Sequence, residues 1–336
     1  MVSAYLLACF VVGLAGAWGI ARYGKGLGLI DYPIERSSHR VPLPKGGGLG
    51  ILATLVLSSL IWEMPRFLWM PACVVSCVSL LGDYSELSLK IRLTVHIGAA
   101  TTFMVYAASR TDSLSEFGWG AAFLVGIGVL FISATLNIYN FMDGINGIAG
   151  LSGAIAFSLA GIFSLAQGRV LSMTMPAFGI MAACIGFLPM NFPKARVFMG
   201  DVGSVLLGFL FSSYVLWLSR SILDVVVLTS FIFPFYADEF NTILARVRDR
   251  QKLTRAHRRH IYQILANQRG LSHSRVTLYY AGLQVLVGVS TWVMMRWGLL
   301  VVIAFLFMCY GGSFLWGMRV RRMWEATGLE SQYGAG

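Results

Sequence analysis

Polar side chains at intervals of three follow a long apolar run in the segment NIYNFMDGING. They are Asn137, Asn140, Asp143 and Asn146. On a helix, side chains at this spacing lie roughly along one face. An ionisable side chain at the end of a membrane helix is costly to place, which favours a functional role for Asp143. The alternative is a polar helix end with Gly144 and Gly147 as C-cap residues.

Two further aspartates lie beside apolar runs. Asp83 ends such a run in GDYSELSLKIR, where Lys90 and Arg92 open the next one. Asp201 directly precedes another apolar run in FMGDVGS. Each aspartate alone could be a solvated turn residue or a helix cap. Together with the carboxylate of the first segment, they offer the hard oxygen ligands that Mg²⁺ prefers.

The loop 243–275 is the most cationic part of the chain and contains the run RAHRRH. His257 and His260 stand among three arginines, whose positive charge would repel a metal ion. Arginines suit phosphate groups, because a guanidinium can donate two hydrogen bonds to one anion. A basic run can also bind nucleic acid, but this loop has few aromatic side chains and is tethered at both ends by apolar segments. We therefore expect no nucleic-acid partner.

A second candidate for phosphate binding is the glycine-rich run that follows the loop 22–45. Lys45 precedes Gly46, Gly47 and Gly48. Backbone amides at a glycine-rich helix start can bind an anion. The alternative is that the basic residues of this loop only anchor helices at the membrane interface.

Membrane helices must position these residues. Of the 336 residues, 57% are hydrophobic and 12% are charged, against about 25% charged in soluble domains. The composition predicts an all-α, polytopic membrane protein with a single membrane-embedded domain, 1–336. The first apolar run has no basic residue before it, so we expect a retained helix. The five cysteines all fall in apolar runs, which gives no disulfide framework and no zinc site.

The chain contains eleven apolar segments, which predict about 11 transmembrane helices. They are 3–21, 46–62, 67–81, 93–108, 119–139, 148–166, 172–190, 203–218, 222–241, 276–294 and 298–317.

Basic residues predict the orientation of these helices. The connections on one side, together with the tail from 318, hold 21 of the 26 Lys and Arg residues. By the positive-inside rule that side is cytoplasmic, the N-terminus is periplasmic and the C-terminus is cytoplasmic. All the candidate residues then lie in cytoplasmic loops, which are 22–45, 83–92, 137–147, 191–203 and 243–275.

Three motifs also resemble those of a known family. NxxNxxDGxxG at 137–147, FMGDVGS at 198–204 and HRRH at 257–260 are similar in order and spacing to the motifs of the polyprenyl-phosphate N-acetylhexosamine-1-phosphate transferases, of the glycosyltransferase 4 type. The resemblance extends over 24–263. It implies transfer of a sugar 1-phosphate from a UDP-sugar to undecaprenyl phosphate with release of UMP, and a need for Mg²⁺ or Mn²⁺.

The resemblance further implies a ten- or eleven-helix fold in the lipid bilayer of the bacterial inner membrane, with the active site facing the cytoplasm, and a homodimer. It implies a kinked ninth helix, and Pro234 stands where the kink would fall. The form HRRHIYQ is closest to the branch that initiates O-antigen and lipopolysaccharide assembly. The cell-wall branch, the phospho-N-acetylmuramoyl-pentapeptide transferases, usually has a run of histidines here.

By position, the resemblance assigns roles to residues of this chain. Asp201 would be the main metal ligand, and Asp143 would lie at the metal and uridine end of the site. Asp83 would assist the lipid phosphate, although the carboxylate that usually precedes it is replaced by Gly82. The residues expected to bind substrate are Lys45, Lys90, Asn137, Asn140, Asn146, Asn191, Phe198, His257, Arg259 and His260. Among these, Asn191 and Phe198 would hold the uracil, and the last three would hold the diphosphate or the sugar.

Two other classes of function remain open at this point. A transporter or flippase for a phosphorylated solute would place ionisable groups near the middle of the membrane on broken helices, usually in repeated halves. Here the acidic residues lie at helix ends and no repeat is visible. A non-catalytic scaffold would leave the three aspartates without a role. The sugar stays open between N-acetylglucosamine, N-acetylgalactosamine and a 6-deoxy N-acetylhexosamine.

Overall fold

The computed structural model describes residues 1–33, 41–85, 87–109, 119–250 and 259–325, and the helices named here lie in these ranges. The α-helices are α1 Val2–Tyr23, α2 Leu49–Ile61, α3 Arg66–Tyr84, α4 Leu89–Ser109, α5 Trp119–Phe141, α6 Ile148–Ala166, α7 Leu171–Asn191, α8 Asp201–Leu218, α9 Ile222–Thr229, α10 Phe233–Arg248, α11 Ile261–Gln263, α12 His273–Met294 and α13 Leu299–Glu325. Shorter elements are the 3₁₀ turns Ser230–Ile232 and Met295–Trp297, the π-helix Ile264–Gln268, and the antiparallel strands β1 Ile30–Asp31 and β2 Leu43–Pro44.

The predicted fold class is confirmed. Within the described ranges, 9 helices are long and apolar enough to cross a membrane, and α2 is a shorter apolar helix. The predicted segment 222–241 is divided into α9, a 3₁₀ turn and α10. Pro234 lies in the first turn of α10, where a missing N–H costs nothing. The predicted break in the ninth segment is therefore confirmed, and the chain is an all-α, multi-pass membrane protein.

Helix α8 lies at the centre of the bundle, and nearly all its side chains are buried. It packs against α3 and α5, while α7 packs against α1 and α6. A Cβ atom at Gly208 of α8 would lie 2.6 Å from the Cα of Leu136 in α5. Small residues let membrane helices approach closely in this way. Helix α13 is at the periphery, with large apolar side chains such as Phe307 and Leu315 exposed where lipid would contact them.

Two loops pair at one end of the bundle. The Phe198 N–H donates to the Pro44 carbonyl (2.8 Å), and the N–H groups of Gly47 and Gly48 donate to the carbonyls of Phe198 and Met199 (2.9 Å each). This pairing places the start of α2 directly against the start of α8. A side chain at position 48 would collide with the backbone of Gly203, only 2.3 Å away.

Candidate active site

Asp83, in the last turn of α3, faces this loop pair. Its Oδ1 atom lies 3.6 Å from the Lys45 ammonium nitrogen. Its Oδ2 atom is buried and has no hydrogen-bond partner among the residues that the structure describes. A Cβ atom at Gly200 would lie 2.8 Å from Oδ2, and Gly200 has a φ of +74°, so both space and backbone conformation favour glycine there. The carboxylate of Asp83 therefore lies next to the residue that precedes Asp201.

Asp201 is the first residue of α8, where a negative charge is favoured by the helix dipole. Its carboxylate forms an ion pair with the guanidinium of Arg92, in the first turn of α4. Both side chains are about one-quarter to one-third exposed, at 27% and 30%. A cation bound to Asp201 would therefore share this carboxylate with Arg92.

Asp143 lies in the turn between α5 and α6, and its N–H donates to the Asn140 carbonyl at 3.2 Å. Burial and the negative charge of Asp83 raise the pKa of Asp143 to about 7. The charge of Asp83 is therefore close enough to act on Asp143. The three aspartates predicted from the sequence thus lie at the same end of the bundle, with Asp83 against the residue that precedes Asp201.

The asparagines have different positions. The Ser204 hydroxyl of α8 donates to Oδ1 of Asn140 (2.7 Å), which places this amide beside Asp201. Asn137 donates to the Ser133 carbonyl of its own helix at 2.7 Å. Asn140 is therefore within the site, whereas the amide nitrogen of Asn137, one turn earlier, is hydrogen-bonded to the backbone of its own helix.

Asn146 and Asn191 hold loops together. Asn146 donates to the Pro193 carbonyl at 3.1 Å. The buried Asn191 accepts the Gly147 N–H at 2.6 Å and donates to the Val197 carbonyl at 2.8 Å. Gly147, with a φ of +81°, directly precedes α6, so it begins a helix where a C-cap was considered. A hydrogen bond from Asn191 to uracil, as predicted, would have to be shared with these loop contacts.

The glycine-rich start of α2 corrects one expectation. The N–H groups of Gly47 and Gly48 were expected to be available to an anion, but they donate to backbone carbonyls of 198 and 199. Their function is to pair the two loops. Lys45 remains the cation of this segment that reaches the aspartates. Lys90 is exposed, and its predicted contact with substrate stays a prediction.

The histidine motif is described only from Arg259 onward, and His257 lies outside the described residues. Arg259 forms an ion pair with Asp249 at the end of α10. His260 is buried, with Nδ1 3.6 Å from Asp238 and Nε2 3.7 Å from Glu239. The predicted contact between His260 and a diphosphate would require this imidazole to leave its two carboxylates.

Sequence reasoning missed Arg92 as the partner of Asp201, and it missed the adjacent acids Asp238 and Glu239 altogether. The two acids could have been found, because adjacent acidic residues inside an apolar segment such as 222–241 are unusual in a membrane protein. The partner of Asp201 could not be inferred from spacing, because it comes from a different helix.

The donor set fits a divalent cation. Mg²⁺ is usually held by one or two carboxylates together with substrate phosphates. The buried, unbonded Oδ2 of Asp83 and the carboxylates beside it are of this kind. In the described ranges no group of three or more His, Cys, Asp and Glu side chains is arranged so that it could hold a metal ion by itself. Substrate oxygens would therefore have to complete the coordination.

Comparisons with known proteins show what this chain is similar to. Residues 66–219 match the family described as Glycosyl transferase family 4, and this range contains all three aspartates and Arg92. This match spans slightly less than half of the chain. The resemblance inferred from the motifs, to the polyprenyl-phosphate hexosamine-1-phosphate transferases, is confirmed.

Three relatives show the range of names among similar proteins. A probable undecaprenyl-phosphate N-acetylglucosaminyl 1-phosphate transferase of Bacillus subtilis is 28% identical over 281 residues, 78% of this chain and 77% of the relative. An undecaprenyl-phosphate alpha-N-acetylglucosaminyl 1-phosphate transferase of Yersinia pestis is 30% identical over 62% of this chain and 60% of the relative. A phospho-N-acetylmuramoyl-pentapeptide-transferase of Chlorobium phaeobacteroides is 28% identical over 60% of this chain and 65% of the relative. The chain thus spans less than two thirds of the length of the last two relatives.

Proposed function

We propose that the protein transfers an N-acetylhexosamine 1-phosphate from a UDP-sugar to undecaprenyl phosphate and releases UMP. The observation that carries this proposal is the gathering of Asp83, Asp143 and Asp201 with Lys45 and Arg92 at one end of a membrane helix bundle. A lipid phosphate at the bilayer surface and a soluble nucleotide sugar could meet there. The names of the Bacillus and Yersinia relatives contain undecaprenyl phosphate and an N-acetylglucosaminyl 1-phosphate group, which supports the proposed acceptor and the proposed transferred group.

In the proposed reaction, an oxygen of the lipid phosphate attacks the phosphorus that carries the sugar. The bond between this phosphorus and the oxygen of UMP breaks, and UMP leaves with the bonding electrons. An ionised lipid phosphate is already a nucleophile, so no proton has to be removed from it. Phosphoryl transfer then depends mainly on positioning and on neutralising charge. Lys45 and Arg92 are placed to neutralise phosphate oxygens, and Asp83 is placed to orient the ammonium of Lys45.

We propose Mg²⁺ as the cofactor, with Mn²⁺ as a substitute, held by Asp201 and Asp143. A bound divalent cation would offset the charge of the diphosphate and of the leaving group. Asn140, oriented by Ser204, would contribute a polar group beside it. Arg259 and His257 would bind the diphosphate or the sugar, and Phe198 would stack on the uracil, with Asn137, Asn146, Asn191, Lys90 and His260 as further predicted contacts.

The finer assignment is initiation of O-antigen or another surface polysaccharide in the bacterial inner membrane, with the site facing the cytoplasm and the protein forming a homodimer. The motif HRRHIYQ supports this branch. The cell-wall reaction is the second candidate, because the Chlorobium relative carries that name. A transporter or flippase is disfavoured, because the aspartates lie at helix ends and the family match covers them.

The experiment is UMP release by the purified protein in detergent with undecaprenyl phosphate and a panel of UDP-sugars. The panel contains the UDP derivatives of N-acetylglucosamine, N-acetylgalactosamine, N-acetylfucosamine and N-acetylmuramoyl-pentapeptide, with Asp201→Asn as the inactive control. We expect UMP and a lipid-linked diphosphate sugar with one of the first three donors. Release with the pentapeptide donor alone would assign the cell-wall reaction, and no release with any donor would overturn the proposal.

A further inference from the structure

A further buried carboxylate lies outside the group of three aspartates. Asp238 of α10 is only 2% exposed and accepts four hydrogen bonds. The donors are the Ile261 N–H (2.7 Å), the Tyr262 N–H (3.0 Å), the Tyr280 hydroxyl (2.6 Å) and the Thr242 hydroxyl (3.2 Å). A buried carboxylate is tolerated only when its oxygens are satisfied in this way. Asp238 therefore fixes the start of α11, directly after the histidine motif.

Helix α11 in turn contacts the Asp143 turn. The Tyr262 hydroxyl donates to the Phe141 carbonyl at 2.9 Å, the last residue of α5. A Cβ atom at Gly144 would lie 2.2 Å from this hydroxyl oxygen, so the phenol lies against the backbone next to Asp143. The ring of Tyr262 is fully buried, which leaves it little freedom to move. A continuous path of contacts thus leads from Asp238 through Tyr262 to the turn 141–147.

The same centre is tied to the last two long helices. Tyr280 belongs to α12, and Arg321 of α13 donates to the Thr242 hydroxyl at 3.1 Å. The His260 ring is stacked on that of Tyr262, with centroids 5.7 Å apart and 27° between the planes. The segment 260–262 is therefore held from one side by α10, α12 and α13, and it presses on the Asp143 turn from the other.

We propose that Asp238 is a positioning residue that sets the conformation of the turn carrying Asp143 through Tyr262. Its two carboxylate oxygens are buried and accept four hydrogen bonds from the protein, so we assign it no contact with substrate or cofactor. The effect on turnover rests on the proposed function, whereas the effect on the turn itself does not. A merely structural role for Asp238 would lower the stability of the whole bundle and leave the turn no more affected than other segments.

The test compares Asp238→Asn, Tyr262→Phe, the double variant and a matched control in full-length protein. The control is Asn241→Ala, which removes a partly buried hydrogen bond from the same helix to Ser313 of α13 (3.1 Å) and leaves the hydrogen bonds of Asp238 and Tyr262 in place. Three quantities are measured, which are the melting temperature, hydrogen–deuterium exchange of the segment 141–147, and kcat and KM for UMP release. Tyr262→Phe removes one hydroxyl from a full-length ring, so it remains informative if Asp238→Asn does not fold.

We expect faster exchange of 141–147 in both single variants but not in the control at equal loss of melting temperature. We expect kcat to fall about fivefold in Tyr262→Phe and about 10- to 150-fold in Asp238→Asn, as for loss of a neutral and of a charged hydrogen bond. The double variant should lose less than the product of the two single losses, because both act through one contact. Exchange of 141–147 that matches the control would overturn the inference even if the wild type is active. A wild type that releases no UMP would instead overturn the proposed function, and the exchange data would still decide the role of Asp238.

Discussion

Arg92 and Asp201 form an ion pair that joins the first turn of α4 to the first turn of α8. The pair places one positive charge next to the carboxylate that we propose as the main Mg²⁺ ligand. The Arg92 guanidinium would therefore have two effects. It would compete with the cation for Asp201, and it would donate hydrogen bonds to the diphosphate.

Arg92→Ala should separate these two effects. Turnover should fall about 10- to 150-fold, because a charged hydrogen bond to phosphate is lost. The Mg²⁺ concentration for half-maximal UMP release should fall as well, since Asp201 no longer shares its charge. The measurement is a Mg²⁺ titration of the initial rate, with Lys194→Ala, an exposed cation of the loop 191–201, as control. An unchanged Mg²⁺ requirement in Arg92→Ala would contradict the competition.

Removal of the metal should abolish turnover. Excess EDTA should stop UMP release, and added Mg²⁺ should restore it. Asp201→Asn and Asp143→Asn should each lose nearly all activity while inserting normally, since each removes a charge from the same ion and phosphate cluster. Glu63→Gln, which removes an exposed acid between α2 and α3, is the control for loss of one negative charge. Full activity of the wild type in EDTA would remove the metal from the mechanism.

Asp143→Asn should be more stable than the wild type in EDTA at high pH. Burial and the charge of Asp83 raise the pKa of Asp143 from 3.8 to about 7, so ionisation favours the unfolded chain. The wild type therefore loses stability as the pH rises from about 4 to about 7, after which the loss is constant. The advantage of Asp143→Asn should grow over the same window. The test is to measure the melting temperatures of both proteins at several pH values from 4.5 to 8.5. A difference in melting temperature that does not change with pH would show that the pKa of Asp143 is not raised.

Arg259→Ala should weaken use of the UDP-sugar. Arg259 is paired with Asp249, and loss of a charged hydrogen bond to phosphate costs about 1.5–3 kcal/mol, or roughly 10- to 150-fold. The control is Arg250→Ala, because Arg250 is an exposed arginine near the same end of α10, whereas Arg246 is buried. KM for the UDP-sugar in Arg259→Ala and Arg250→Ala should differ by that factor. Equal values would reduce the basic loop to a solvated or lipid-facing patch.

Gly82→Asp should change activity by no more than about tenfold, or roughly 1.4 kcal/mol. A Cβ atom at position 82 would lie 3.6–3.9 Å from the Leu87 side chain, which is ordinary van der Waals contact. The new side chain would therefore extend from the backbone toward Leu87. Asp83 instead contacts Lys45 and Gly200. Asp83→Asn should therefore be far more damaging. Steady-state rates of both variants at saturating Mg²⁺ and matched membrane levels decide this, and full activity of Asp83→Asn would remove Asp83 from the mechanism.

The membrane helices could be predicted from the sequence because long apolar runs have few alternatives in a bilayer. The kink near Pro234 was implied by the resemblance to the family, and it agrees with the chemistry of proline, which cannot continue a regular helix from the preceding turn. The three aspartates were found because ionisable groups beside apolar runs are costly. Each of these signals is local in the chain.

The contacts between distant segments could not be predicted. The Gly47 and Gly48 amides have the pattern of an anion site, and only the tertiary structure shows that they pair with 198 and 199. Asn191 has the chemistry of a base-binding residue, yet both ends of its amide hold loops. Amide groups of these types can form hydrogen bonds to the backbone or to a ligand equally well. Only the tertiary structure shows which of these two partners they have.

The hydrogen bonds of Asp238 also determine when, during synthesis, this part of the protein can reach its final structure. Helix α9 has 8 residues, about 12 Å at 1.5 Å per residue, against a hydrocarbon core of about 30 Å. The rest of the ninth crossing carries Asp238, which accepts a hydrogen bond from Tyr280 of α12, and Thr242, which accepts one from Arg321 of α13. These two helices follow α10 in the chain and leave the ribosome after it. Asp238 is therefore without these partners until α12 and α13 have been made, and the Asp143 turn acquires its full support only when they are in place.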